Sequence, residues 1–311
     1  MSTLLRRPAG AVRAGKASEG KLELAARLPR PVPRAGIAWT LMALLVAAGF
    51  ALAPRLGPLE RMGYMMAAHL VAFKLMTMPS RRRLLYLAWP GMDPRPFDGP
   101  RAPDLGGCML VARGSAVMAV GVALWAVPCG DPVARAWLVM AGAIAFVHLG
   151  LFDVMAGLFR WNGLPVERIC PEPWLSRSLA EFWGARWNRA FHAVARDHVY
   201  KPALRSLSKL LGASLDGEGG PLARRWGRTA ALAAVFLFSG LVHELVISFP
   251  AGGGWGLPTL YFALHGAAVE LEKRGLIRRR RITTIALVLL PLPVLFHPAF
   301  VGNCIVAAIS R

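Results

Sequence analysis

Long apolar runs, several of them near twenty residues, alternate along this chain with arginine-rich stretches. A helix needs ~20 mostly apolar residues to cross a hydrocarbon core ~30 Å thick, because each residue rises ~1.5 Å. The runs predict an all-α fold: a polytopic transmembrane helical bundle of about seven spans, with one amphipathic interfacial helix. Spans are expected at 36–53, 62–79, 108–128, 136–159, 229–249, 257–272 and 282–301.

Composition agrees. Of 311 residues, 55% are hydrophobic and 17% charged, against roughly 25% charged in a soluble domain. The net charge of +20 would suggest nucleic acid in a soluble protein, but no recognition motif accompanies it. The positive-inside bias explains it better. Lys and Arg gather at 1–35, 80–107, 160–228 and 273–281, while 54–61, 129–135 and 250–256 are poor in them. This alternation predicts a multi-pass protein with a cytoplasmic N-terminus and an external C-terminus. Residues 1–35 lack an apolar face and are expected to be a disordered basic tail, leaving 36–311 as the transmembrane domain. Ala51-Leu52-Ala53 resembles a peptidase site, but the run before it is long and Pro54 follows, so the segment reads as a retained span. Cys108, Cys129, Cys170 and Cys304 form no CxxC pair, which argues against zinc or a redox motif.

One stretch is neither loop nor span. In 178–200, Leu179, Trp183, Trp187, Ala190, Phe191, Val194 and His198 recur at helical spacing. Ser178 and Glu181 fit a capping box. Arg186, Arg189 and Arg196 lie off the stripe, and the helix is expected to stop before Pro202. Such a helix lies in the membrane interface. Asn188, beside the stripe, faces either the headgroups or the protein.

Ionisable residues inside spans are costly and usually functional. Here they are His69, Lys74, His148, Asp153, His243, Glu244, His265 and Glu270. Structural roles suffice for most: Lys74 pairing with Asp153, His69 or His148 bonding a carbonyl, Glu270 reaching the interface. His243 stands out. Ser239 and Gly240 precede it on the same helix face, where small residues let a backbone or a substrate approach. A desolvated imidazole stays neutral, and a neutral imidazole accepts a proton from a hydroxyl. Glu244 beside it invites a metalloprotease reading, but the second His of HExxH would be residue 247, which is Ile, so no metal is expected. No GxSxG or SxxK nucleophile motif is present.

Ser178-Leu-Ala-Glu-Phe-Trp-Gly-Ala-Arg-Trp-Asn188, ending in Val199-Tyr200-Lys-Pro202, resembles the signature of the plant-type wax synthases, in the membrane-bound O-acyltransferase superfamily. Phe238-Ser-Gly-Leu-Val-His243-Glu-Leu resembles the second signature, and Phe262-Ala-Leu-His265-Gly followed by Glu270 a third, all in the family's order within 174–300. The resemblance implies acyl transfer from acyl-CoA, as co-substrate and with no bound cofactor, to a lipid alcohol. It makes His243 the general base and Asn188 the residue that positions a substrate group or stabilises developing charge, where a donor in a dry site is worth ~3 kcal/mol. Glu244, His265, Ser239, Trp187 and Glu270 would support them. Arg186, Arg189, Arg196 and Lys201, on the expected cytosolic side, would hold CoA phosphates or reflect positive-inside bias and anionic headgroups. Alternatives are the same chemistry on a sterol, diacylglycerol or other hydroxyl, and a non-catalytic lipid-binding or transport protein. Transporters often show repeats and paired broken helices, which this sequence lacks.

Overall fold

A computed structural model describes residues 34–210 and 221–310, and within them every regular element is helical. The expected tail at 1–35 falls almost wholly outside these residues. The principal helices are α1 (Arg34–Leu52), α2 (Pro58–Met76), α3 (Gly106–Ala126), α4 (Pro132–Trp161), α5 (Lys201–Leu210), α6 (Pro221–His243), α7 (Leu257–Lys273), α8 (Arg281–Leu295) and α9 (Pro298–Ile309). Four stretches are long and apolar enough to cross a membrane: Ala35–Arg55, Gly106–Ala126, Pro132–Trp161 and Arg225–Ala251. The pair α8 and α9, bent by 63°, makes a fifth if it is counted as one span. Two of the expected spans fall short for plain reasons. α2 carries Glu60, Arg61 and Lys74, and α7 has only 17 residues. Large apolar side chains such as Leu44, Met66, Met109, Val120, Leu241 and Leu289 face outward. An outer surface of this kind suits lipid, as in an integral membrane protein.

α3 and α4 form an antiparallel hairpin closed on glycines. A Cβ added at Gly107, Gly114 or Gly121 would lie 2.5–2.7 Å from the carbonyl oxygens of Gly157, Gly150 and Gly142. On α3 these glycines recur every seven residues. On α4 the step from Gly150 to Gly157 is also seven, but that from Gly142 to Gly150 is eight. A π-helical stretch at Ile144–Leu151 takes up the additional residue. Without water to drive helices together, such close backbone contact is what holds them. Gly114→Val therefore forces the backbones apart. We expect it to destabilise the protein by about 1–3 kcal/mol, read as a lower melting temperature of the detergent-extracted protein, while Gly130→Val, with no atom near its side-chain position, changes nothing measurable.

Two polar residues inside the helices do not meet as the sequence suggested. Lys74 does not pair with Asp153. Its Nζ donates to the carbonyls of Tyr86 (2.7 Å), Gly91 (2.8 Å) and Trp89, and lies 3.8 Å from the Tyr86 ring centre. The Pro- and Gly-rich stretch after α2 folds back over the end of the helix and supplies these acceptors before Asp153 can. Asp153 instead binds Arg168 through both oxygens (2.9 and 2.8 Å), and Glu172 joins Arg168 (2.6 Å) to Arg113 (2.5 Å). This network ties residues 168–172 to α3 and α4.

The expected continuous amphipathic helix over 178–200 is broken. Helical turns over Leu179–Glu181 and Phe182–Arg186 end at Trp187, which is extended, and Asn188 is left-handed at φ +43°. Helix resumes at Arg189–Phe191 and runs on through His192 into α5. It passes Pro202, because a wider π-helical turn over Ala195–Tyr200 directly before α5 accommodates a residue without a backbone donor. Ser178 caps the first turn by accepting from the Glu181 N–H (3.0 Å), but Glu181 reaches the Arg177 N–H (2.8 Å) rather than closing the box. The Leu179 N–H is taken by Glu272 of α7 (2.9 Å), a carboxylate buried to 2% exposure.

Candidate active site

His243 ends the regular part of α6, directly before a π-helical turn at Glu244–Ser248. Such bulges recur at functional sites. Its Nδ1 lies 2.6 Å from the Ser239 carbonyl. A carbonyl only accepts, so Nδ1 carries the proton and Nε2 keeps its lone pair. Ser239 thus acts through its backbone. Gly240 serves close approach: a Cβ there would lie 2.7 Å from Cα of Thr259 in α7. That contact brings the Phe262 ring to 4.4 Å from the His243 ring.

Glu244 sets where α7 begins. One carboxylate oxygen accepts from the backbone N–H of Gly256 and Thr259 (3.0 Å each) and from the Thr259 hydroxyl (2.8 Å). The negative charge sits at a helix N-terminus, where orphan N–H groups and the helix dipole favour it. Glu244 is 5% exposed. Glu244→Ala orphans those donors, and we expect a loss of about 1–3 kcal/mol in thermal unfolding of the purified protein. Glu244→Gln, which keeps an acceptor oxygen, costs less.

A row of rings joins His243 to the 182–188 segment. Phe262 packs on Trp183 (5.4 Å), Trp183 on Phe182 (5.0 Å), and Phe182 stacks on Trp187 (5.7 Å). Trp187 in turn stacks on His148 of α4 (5.6 Å, planes 9° apart). Asn188 follows Trp187. Its N–H meets Cys170 Sγ at 3.4 Å, and the Arg189 N–H meets the Ile169 carbonyl at 2.9 Å. The left-handed backbone that Asn tolerates better than most residues turns the chain there. Asn188 and His243 are thus linked through this row of rings, and among the described residues no hydrogen bond joins them. Burial pushes the Cys170 thiol up to about 12, so it stays protonated and is no nucleophile beside Asn188.

The other sequence candidates divide. His265 is buried, donates Nε2–H to the Leu287 carbonyl of α8 (2.9 Å) and packs edge-on to Tyr261 (4.2 Å) and against Trp183 (5.3 Å). It joins α7, α8 and the aromatic wall. The four cations expected to hold phosphates all have carboxylate partners: Arg186 with Glu181 (2.6 Å), Arg189 with Glu167, Arg196 (2.8 Å) and Lys201 (2.6 Å) with Asp197. Burial works against ionisation of Asp197, yet Arg196 and Lys201 hold its carboxyl at about 2. Glu270 pairs with Lys273 (3.7 Å) and Arg274 (3.3 Å) and, with Arg225 and Arg228, lines a basic cleft of about 680 Å³. Sequence reasoning misses that cleft, although charge runs at the start of α6 and the end of α7 signal it. It also misses His192, whose Nε2–H donates to the Trp183 carbonyl (2.8 Å) and fixes the wall.

Residues 166–264 match the membrane bound O-acyl transferase family. The match holds Trp183, Trp187, Asn188, His243, Glu244 and Phe262, and ends one residue before His265. The chain is 36% identical over 128 residues to the probable long-chain-alcohol O-fatty-acyltransferase 1 of Arabidopsis thaliana, covering 40% of this chain and 34% of that one. It is 29% identical over 181 residues to the probable long-chain-alcohol O-fatty-acyltransferase 9 of the same plant, covering 52% and 50%. Against the long-chain-alcohol O-fatty-acyltransferase of Simmondsia chinensis it is 32% identical over 124 residues, covering 37% and 32%. The alignments thus span half or less of these relatives' length.

Proposed function

We propose that this chain is a membrane-embedded acyltransferase that moves a fatty acyl group from acyl-CoA to a long-chain alcohol. The observation that carries the reading is the tautomer of His243: the Ser239 carbonyl claims the Nδ1 proton and leaves Nε2 as an acceptor beside an aromatic wall. The acceptor hydroxyl gives its proton to Nε2 as its oxygen attacks the thioester carbonyl carbon. The new C–O bond forms, the C–S bond breaks with its electron pair on sulfur, and His243 returns the proton to the thiolate. No acyl-enzyme is needed. Among the described residues the Asn188 amide has no hydrogen-bond partner, which leaves it able to bind a carbonyl or hydroxyl of a substrate entering along the wall. The relatives' names specify a long-chain alcohol as acceptor. In this reading the chain crosses the membrane seven times, with α2 and α7 as two further spans, and with its N-terminus cytoplasmic.

The test is an assay of membranes holding the chain, with labelled acyl-CoA and long-chain alcohols, sterols or diacylglycerol. We expect a labelled ester with the long-chain alcohols. A product with sterol or diacylglycerol alone would move the acceptor, and no ester with any of them, from folded protein, would count against the enzyme. A cysteine placed in 250–256 should label from outside intact cells; labelling only after permeabilisation would invert the orientation.

A further inference from the structure

The basic cleft lies where α6 begins and α7 ends, well away from the catalytic candidates. Fifteen residues of helix, about 22 Å, separate Arg228 from His243. The two helices run antiparallel and close on each other at two places. A Cβ on Gly240 would lie 2.7 Å from the Thr259 Cα, and one on Gly266 would lie 3.1 Å from the Phe236 ring. Further along, Arg225, Arg228 and Thr229 of α6 and Glu270, Lys273, Arg274 and Leu276 at the end of α7 line a cleft of about 680 Å³. Ligand sites are commonly of that size.

Its charge is lopsided. Four cations meet one carboxylate among the lining residues, a net positive charge of three. Glu270 pairs with Lys273 at 3.7 Å and with Arg274 at 3.3 Å. Like charges gathered in one cleft repel each other, and a bound anion turns that repulsion into attraction. The surroundings are those of a membrane edge. The apolar stretch long enough to cross a bilayer starts at Arg225. Trp226, between the two arginines, is 52% exposed, and Leu276 is 71% exposed. An indole favours the headgroup level, and an exposed leucine offers an acyl chain a surface. Positive-inside bias alone spreads cations over a loop, whereas here two separate helices bring them to one space. A basic pocket between helices at the membrane surface suits an anionic headgroup.

We propose that this cleft binds the phosphate of an anionic phospholipid. Arg225 and Arg228 hold it from α6, Lys273 and Arg274 from the end of α7, and the Thr229 hydroxyl is a neutral donor beside them. The lipid clasps one end of the helix pair whose other end carries His243 and the Glu244 contacts to α7. Binding requires the chain to lie in a bilayer but does not require acyl transfer. The orientation proposed above decides only which leaflet supplies the lipid.

The test places the full chain in vesicles of phosphatidylcholine, with and without phosphatidylglycerol, and measures its melting temperature and the lipid that stays bound on extraction. Three further forms are compared: Arg225→Gln with Arg228→Gln, Arg225→Lys with Arg228→Lys, and Arg278→Gln with Arg280→Gln, which removes the same charge from exposed residues outside the cleft. The unaltered chain is expected to retain phosphatidylglycerol in preference and to melt higher in its presence. Arg225→Gln with Arg228→Gln should cut that preference about 25-fold, since each cation at an anionic surface contributes about fivefold, and should abolish the rise. Its melting in phosphatidylcholine alone should not change, because both side chains are exposed. The lysine pair and the Arg278, Arg280 pair should keep the preference. Equal loss in the two glutamine pairs would show diffuse attraction and overturn the site, as would an unaltered chain that shows no preference. An equal rise from inorganic phosphate or from CoA, lost in the same variant, would assign the cleft to a soluble phosphate and overturn the lipid.

Discussion

Membranes carrying His243→Gln should form ester at a rate lower by about 10²–10⁴-fold, while the protein accumulates and unfolds as before. The physical basis for both halves is local. Among the described residues the His243 side chain makes a single hydrogen bond, from Nδ1 to a carbonyl on its own helix. A glutamine side-chain amide can still donate to that carbonyl and still packs on Phe262, so the fold loses little. What it lacks is a group that both takes and returns a proton. Full accumulation with normal turnover would show that another residue is the base. The neighbouring carboxylate gives the opposite pattern. Glu244→Ala should act first on stability, because Glu244 bonds the start of α7 and touches no reacting atom in this scheme.

Lys74→Met should cost about 3 kcal/mol or more, since it leaves three buried carbonyl acceptors without their donor. The expected readout is a sharp fall in membrane-accumulated protein and in the melting temperature of what remains. Lys201→Met is the matched control. Its ion pair with Asp197 is half exposed, and pairs of that kind contribute little. Equal stability of the two variants would mean that water replaces Lys74 at its carbonyls.

The apolar runs made the helical bundle legible, because a length near twenty residues and a charge alternation are properties of the sequence itself. That His243 lies inside a helix was legible on the same grounds, and the small residue Gly240 before it marked a close approach, which the structure gives to Thr259 of α7. Contacts that depend on where distant segments meet were not legible. The helix over 178–200 reads as continuous because Trp183, Trp187 and Phe191 keep helical spacing, yet the chain turns at Asn188, where its N–H meets the Cys170 sulfur and the next N–H meets the Ile169 carbonyl, contacts that no periodicity records. Lys74 and Asp153 carry opposite charges and invite pairing. The Pro- and Gly-rich stretch that supplies carbonyls to one, and the Arg168–Glu172 corner that serves the other, show no pattern from which either contact can be read.

The eight-residue step between Gly142 and Gly150 has a mechanical consequence. In a regular α-helix, each residue added rotates everything beyond it by about 100°, so an insertion would carry one half of the glycine seam off its partner. Absorbed in the π-helical stretch, the added residue leaves the seam in register and swivels only the short arc between the two glycines. His148 sits on that arc, against Trp187. The helix is thereby an axle with one offset crank: the hairpin can be held rigid by its glycines while the crank alone sets how far the His148 ring leans onto Trp187. Deleting one residue from 144–147 should leave the hairpin intact and withdraw that ring.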